Sequence, residues 1–182
     1  SVDLNTEEEY DNADSISVSN QLNLASRAVK FFRPASGLDI TTRNGVRKGS
    51  GLGASSALLI AVLTALNEFT EARYTMEQLI DLAANLEAQC IRVPTGKQDY
   101  YSAVFGGING LWFEINGNRR ESLLSPDDFE QLESRLILSY TGPPRFSGAS
   151  NWDMLKNYID QNPLTVSGMK EIKQIALEMR SC

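Results

Sequence analysis

Histidine is absent from this sequence of 182 residues. Catalysis by imidazole and histidine-ligated metal centres are therefore excluded, and any proton transfer falls to carboxylates, lysine or tyrosine. Cysteine occurs twice, as Cys90 inside a helix-like apolar pattern and Cys182 at the very end. Such sparse use points to reduced thiols and a cytoplasmic location. No apolar run approaches the about 20 residues of a membrane span, and no signal peptide precedes the acidic cluster at Glu7, Glu8 and Glu9. Positive charge is also short: 17 Lys and Arg stand against 23 Asp and Glu, a net charge of −6. That disfavours nucleic acid and anionic membranes as partners, since both want a basic face. The length suits one sizeable domain, or one domain and part of another, and a chain of that order buries about 70% of its unfolded surface without disulfide or metal staples.

What is present is organised around Lys48-Gly49-Ser50-Gly51-Leu52-Gly53-Ala54-Ser55-Ser56-Ala57. Glycines let a backbone take positive φ and approach a ligand closely. A helix opening at the serines directs its free N–H groups and its dipole back into the loop, which suits a phosphate. A magnesium ion on nucleotide phosphates finds a hydroxyl ligand in Ser55 or Ser56. The plainer alternative is a flexible loop with a serine cap. A Walker A loop needs Gly-Lys-Ser/Thr where Ala54-Ser55-Ser56 stands. Gly49, Gly51 and Ala54 fit a dinucleotide-binding loop, but the preceding segment Arg43–Lys48 is polar and turn-like rather than a buried strand. The acidic residue about 20 positions on is Glu68, with no strand before it.

The sequence opens without methionine on Ser1-Val2-Asp3-Leu4, which reads as a cut or processed edge. Apolar spacing predicts a helix over 20–32 stopped by Pro34, an alternating strand over 37–42, and a largely buried helix from the serines to about Phe69. Thr75-Met76-Glu77-Gln78 is a capping box opening the next helix, whose apolar stripe is Leu79, Ile80, Ala83, Leu86 and Cys90. Glu87 falls on that stripe. A carboxylate facing a core is costly unless paired or metal-bound, so Glu87 either has such a partner or reaches water at the stripe's edge. Pro94 and Gly96 make a turn, and a short helix begins near Asp99 and ends at Gly106-Gly107. Asp99 is either the cap of that helix or a base facing the glycine loop, and Lys97 either a solvated charge or a ligand-binding group. Residues 110–123 read as a hairpin turning at Asn116-Gly117, residues 135–141 as a strand, and about 151–160 and 163–180 as amphipathic helices.

With these residues together, the chain resembles the GHMP kinases, the superfamily named for galacto-, homoserine, mevalonate and phosphomevalonate kinases. Gly51-Leu52-Gly53-Ala54-Ser55-Ser56-Ala57 is similar to its phosphate-loop signature P-x-x-x-G-L-G-S-S-A, with Arg47 for the proline and Ala54 for the first serine. Gly96-Lys97-Gln98-Asp99-Tyr100-Tyr101 with Phe105-Gly106-Gly107 is nearest the bacterial D-glycero-D-manno-heptose 7-phosphate kinases, whose pattern is G-G-K-Q-D-Q-Y-A-A-A-F-G-G; Thr95 and Tyr100 depart from it. Tyr140-Thr141-Gly142 with Arg145 resembles the strand and loop that open that family's second half.

The resemblance implies an α+β fold: residues 1–132 as an ATP-binding domain like ribosomal protein S5 domain 2, lacking its first strands, and residues 133–182 as the start of a truncated ferredoxin-like domain. It implies phosphoryl transfer from ATP to a sugar or sugar-phosphate hydroxyl. Gly49, Ser50, Gly51, Leu52, Gly53, Ala54, Ser55 and Ser56 would hold the nucleotide, and Ser55 and Glu87 the Mg²⁺. Asp99, with Lys97, would be catalytic, while Gly106, Gly107 and Arg145 would face the substrate. The family's first signature should precede Ser1 and its third should follow Cys182, so the 182 residues alone are expected to be inactive. Expected partners are ATP, a small-molecule sugar or sugar phosphate and at most a second copy in a homodimer. The rival reading is a non-catalytic sugar- or nucleotide-binding regulator on the same scaffold, as in galactose-sensing relatives of galactokinase.

Overall fold

The computed structural model describes residues 1, 4–46, 50–124, 126–139 and 147–181. Its elements are α1 (Asn23–Phe32), α2 (Ala54–Phe69), α3 (Met76–Ile91), α4 (Gln98–Phe105), β1 (Asn109–Glu114), β2 (Gly117–Ser122), α5 (Pro126–Glu133), α6 (Ser147–Ile159) and α7 (Pro163–Ser181). The fold thus mixes helices with a small antiparallel sheet. The chain divides into two compact units, one over Ser1–Val104 and the other over the described residues from Phe105 onward.

In the first unit, α1, α2 and α3 pack against one another. α1 stops where Arg33 takes left-handed geometry, φ 47°, and its N–H closes on the Val29 carbonyl at 2.8 Å. Pro34 cannot continue the helix and disfavours helical geometry in the residue before it. Thr75 and Gln78 form both arms of the expected capping box: Gln78 N–H donates to Thr75 Oγ1 at 3.3 Å and Thr75 N–H to Gln78 Oε1 at 2.8 Å. The core is built from Leu59, Leu63 and Leu66 of α2 against Leu79, Ile80 and Ala83 of α3, with Tyr100 of α4, all buried. Leucines spaced three and four apart share one helix face, which is why α2 turns that stripe inward. Cys90 is a free, half-buried thiol, and Cys182 lies outside the described residues.

Among the described residues, two expected strands are left without a partner. Residues 37–42 form no regular element; Ile40 and Thr42 are half-buried, and Leu38, Asp39 and Thr41 are exposed. Among the described residues they have no ladder partner, and backbone N–H and C=O groups make a strand only when a neighbour pairs with them. Leu136–Ser139 is likewise unpaired, with Leu136, Ile137 and Leu138 at 68%, 93% and 80% exposure; Tyr140 and Thr141 lie outside the described residues.

In the second unit the hairpin forms in the register Trp112↔Arg119 and Glu114↔Gly117. Its turn is therefore Ile115-Asn116, one residue earlier than the Asn-Gly reading. Gly117, at φ 132°, is the turn-region residue with positive φ, whereas the expected Asn-Gly turn needs positive φ at both central residues. The Arg119 guanidinium lies 3.7 Å from the centre of the Trp112 ring, and Arg180 of α7 bonds Glu121 through Nε and Nη2 at 2.9–3.1 Å. α6 and α7 pack together, and α7 buries no residue.

Candidate active site

The first unit gathers its polar groups at the N-terminus of α2. Gly51 and Gly53 both carry positive φ, 75° and 65°, and Gly53 is the N-cap, with no side chain bonding the first turn. Among the described residues, the N-cap thus supplies no side-chain acceptor to the opening N–H groups of α2, and the helix dipole adds positive potential there. Gly53 is constrained in a second way. A Cβ placed on it would lie 3.2 Å from Asp99 Cβ and 3.3 Å from Asp99 Cγ. Backbone geometry and room therefore both ask for glycine. Asn44 fastens the approach to the loop, its Nδ2 donating to the Ala54 carbonyl at 3.4 Å. Ser50 Oγ is buried with no hydrogen-bond partner among the described residues. Leu52 is exposed, and Gly49 lies outside the described residues.

Within the first turn of α2, Ser55 Oγ donates to Glu87 Oε1 at 2.6 Å and Ser56 Oγ to Glu87 Oε2 at 3.4 Å. From α4, the Tyr100 hydroxyl also donates to Glu87 Oε2. Glu87 is only 7% exposed and Tyr100 not at all, so the alternative of an edge carboxylate reaching water does not describe this residue. A buried carboxylate is tolerable when hydroxyls saturate it, and here two helices, α2 and α4, supply three of them. Burial, and then the bond to Glu87 and its charge, push the Tyr100 phenol above the ordinary tyrosine range. The phenol stays protonated and can only donate to the carboxylate.

Asp99 is the second residue of α4 rather than the residue before it, so it does not occupy the cap position. The residue as a whole is exposed, but its carboxyl end lies against Gly53. Burial of that end, and then the negative charge of Glu87, raise it above the ordinary aspartate value. Lys97 is engaged elsewhere: its Nζ pairs with Asp81 Oδ1 of α3 at 2.6 Å. Gly106 and Gly107 end α4 with φ of 60° and 64° and belong to the second unit. Arg145 lies outside the described residues.

The structure thus brings Gly53, Ser55, Ser56, Glu87 and Asp99 into one cluster and leaves Lys97 on α3's acidic side. Sequence reasoning missed Tyr100 as a partner of Glu87 and Asp81 as the partner of Lys97. A signal for the first was present: a tyrosine inside a short helix of aromatic and apolar residues is expected to be buried, and a buried hydroxyl needs an acceptor. The arrangement offers an uncapped helix N-terminus, one carboxylate edged by a hydroxyl, and a second carboxylate with raised proton affinity.

Residues 23–107 match the family model described as GHMP kinases N terminal domain. The likeness is to the GHMP kinases. Over 99% of its length the chain is 28% identical to D-glycero-alpha-D-manno-heptose 7-phosphate kinase of Campylobacter jejuni, covering 55% of that protein. It is 28% identical to the bifunctional fucokinase/GDP-fucose pyrophosphorylase of Arabidopsis thaliana, over 80% of this chain and 14% of that one. To homoserine kinase of Methanococcus maripaludis it is 33% identical, over 47% of this chain and 28% of that enzyme. The chain therefore spans about half the length of the Campylobacter heptose 7-phosphate kinase and less of the other two. Every element of the cluster from Gly53 to Asp99 lies inside the matched segment. Among the described residues, no helix is long and apolar enough to cross a membrane.

Proposed function

We propose that this chain carries the nucleotide-binding centre of a GHMP-type sugar kinase, which moves the γ-phosphoryl of ATP to a hydroxyl of a sugar or sugar phosphate in the cytoplasm. Heptose 7-phosphate is the first acceptor to test. The observation that carries this reading is the meeting of Ser55, Glu87 and Asp99 at the uncapped N-terminus of α2. Residues 1–132 are then read as the ATP-binding, S5-like domain and residues 133–182 as the opening of a ferredoxin-like one.

The residues present fit a magnesium nucleotide. Among the described residues, no group of three or more acidic or cysteine side chains could cage a metal ion by itself. Mg²⁺ asks for less: one or two carboxylates, with water and substrate phosphates completing its octahedron. Ser55 Oγ and Glu87 Oε1 would hold it, and the ion would supply charge neutralisation for the phosphates. The opening N–H groups of α2 and the Ser50 hydroxyl, which has no partner among the described residues, would hold and orient the phosphates. Asp99 would accept the proton of the attacking hydroxyl, its raised affinity bringing it closer to the working pH than an ordinary aspartate.

The test is Asp99→Asn in the intact gene product, with ADP release measured against heptose 7-phosphate and a panel of sugars. Turnover should fall about 10²–10⁴-fold, as for general acid–base groups, while Mg²⁺·ATP affinity is retained. A fully active Asp99→Asn would remove Asp99 from the chemistry. Binding of sugar and nucleotide without turnover in the unsubstituted protein would favour the regulatory reading.

A further inference from the structure

The two oxygens of Glu87 are not equivalent. Oε2 is the inner one: its donors are Ser56 and Tyr100, both buried. Oε1 is the outer one: among the described residues its donor is the exposed Ser55 at 2.6 Å, at the open end of α2. A carboxylate free to rotate would offer either oxygen, or both, to a cation. Anchoring one oxygen in the core fixes the plane of the group and leaves the other at the edge.

We propose that Tyr100 is a positioning residue, whose buried hydroxyl holds Glu87 Oε2 so that Oε1 stands beside Ser55 Oγ as a preformed half-site for a divalent cation. This rests on the reading of Ser55 and Glu87 as magnesium ligands given above. Tyr100 touches neither metal nor substrate; it acts through Glu87. Outer-sphere partners that orient a ligating group typically affect metal affinity or activity about 10–100-fold when removed. A purely structural tyrosine would alter stability without altering the dependence on metal.

Tyr100→Phe keeps the ring and its packing and deletes only the donor. The experiment measures ATP binding to the 182-residue chain by calorimetry, in excess EDTA and across a Mg²⁺ titration, alongside thermal melts. Wild type, Tyr100→Phe, Glu87→Gln and the double variant are compared. Tyr100→Phe should raise the Mg²⁺ concentration needed for half-maximal enhancement of ATP binding about 10–100-fold, with binding in EDTA unchanged. In the Glu87→Gln background the same substitution should change nothing further. Unaltered Mg²⁺ dependence in Tyr100→Phe, with Glu87→Gln impaired, overturns the positioning role and leaves the magnesium reading standing. No Mg²⁺-dependent binding in wild type, or none lost in Glu87→Gln, overturns that reading and the proposal with it. If Tyr100→Phe does not fold, Ser56→Ala removes the other donor to Oε2 and replaces it in the comparison. A lack of effect on Mg²⁺ dependence there, with Glu87→Gln impaired, counts against the anchor equally.

Discussion

α3 and α7 are both amphipathic helices of similar length, 16 and 19 residues, yet they end in opposite conditions. α3 buries Leu79, Ile80, Ala83, Ala84, Leu86 and the carboxylate of Glu87. α7 buries nothing, and Ile172, Ile175 and Met179, at helical spacing, remain 63%, 55% and 73% exposed. The difference lies in their neighbours. α3 lies against both α1 and α2, whereas α7 has α6 as its helical partner. An apolar stripe supplies the demand for burial, and other elements must satisfy it, because most helical stability in proteins comes from packing rather than propensity. The polar cluster follows the same rule. Glu87 can be buried because α2 and α4 bring hydroxyls to it, and α7 has no comparable setting.

The comparison is most directly broken by cutting equal amounts of side chain from the two helical settings. Leu63→Ala, in the fully buried face of α2 against α3, should cost about 2–5 kcal/mol. Ile175→Ala on α7 should cost no more than about 0.5 kcal/mol. Urea unfolding midpoints measure both, and equal losses would mean that α7 packs in solution as tightly as α3. Next in size is the glycine pair of the loop. Gly51→Ala and Gly53→Ala each place a side chain at positive φ, which costs roughly 1–2 kcal/mol. Only the second meets Asp99, so Gly53→Ala should be the more destabilising in thermal melts. Equal effects would show that Asp99 stands away from Gly53.

The smallest effect concerns charge. The folded state holds the Asp99 proton to higher pH than the unfolded chain does. Stability is therefore lost as pH rises from the ordinary aspartate value, about 3.9, through the raised folded one. Asp99→Asn should be slightly more stable than wild type above that window and equal to it below. Melting temperatures across pH 3–8, roughly, would check the sign; a loss of stability at neutral pH would instead assign Asp99 a stabilising ionic role.

Much of the first unit was legible in sequence. The capping box at Thr75 and Gln78, the stop before Pro34 and the position of Glu87 among apolar neighbours are local facts, set by spacing and by residue chemistry within a few positions. Helices carry such local signals because their hydrogen bonds close within four residues. Among the described residues, the strands expected over 37–42 and 135–141 find no ladder partner, for the complementary reason. Alternation shows that a segment could be a strand, but only a partner makes it one, and that partner is not encoded in the segment. The hairpin turn was displaced by one residue because Asn116-Gly117 offered two positions that tolerate positive φ and the chain used it at Gly117.

By itself, the sequence determined that α2 would open at a glycine loop with serines in its first turn, and that a carboxylate would stand on the core face of α3. Both are consequences of order along the chain. Only the tertiary structure decided which groups meet: Glu87 with Ser55, Ser56 and Tyr100, Asp99 against Gly53, and Lys97 with Asp81 rather than with the loop. Those contacts join residues 13 to 32 positions apart in the hydrogen-bonded cases around Glu87. Spacing fixes which face of a helix a residue occupies. What that face meets is fixed by how helices pack, and packing is settled by the whole core at once.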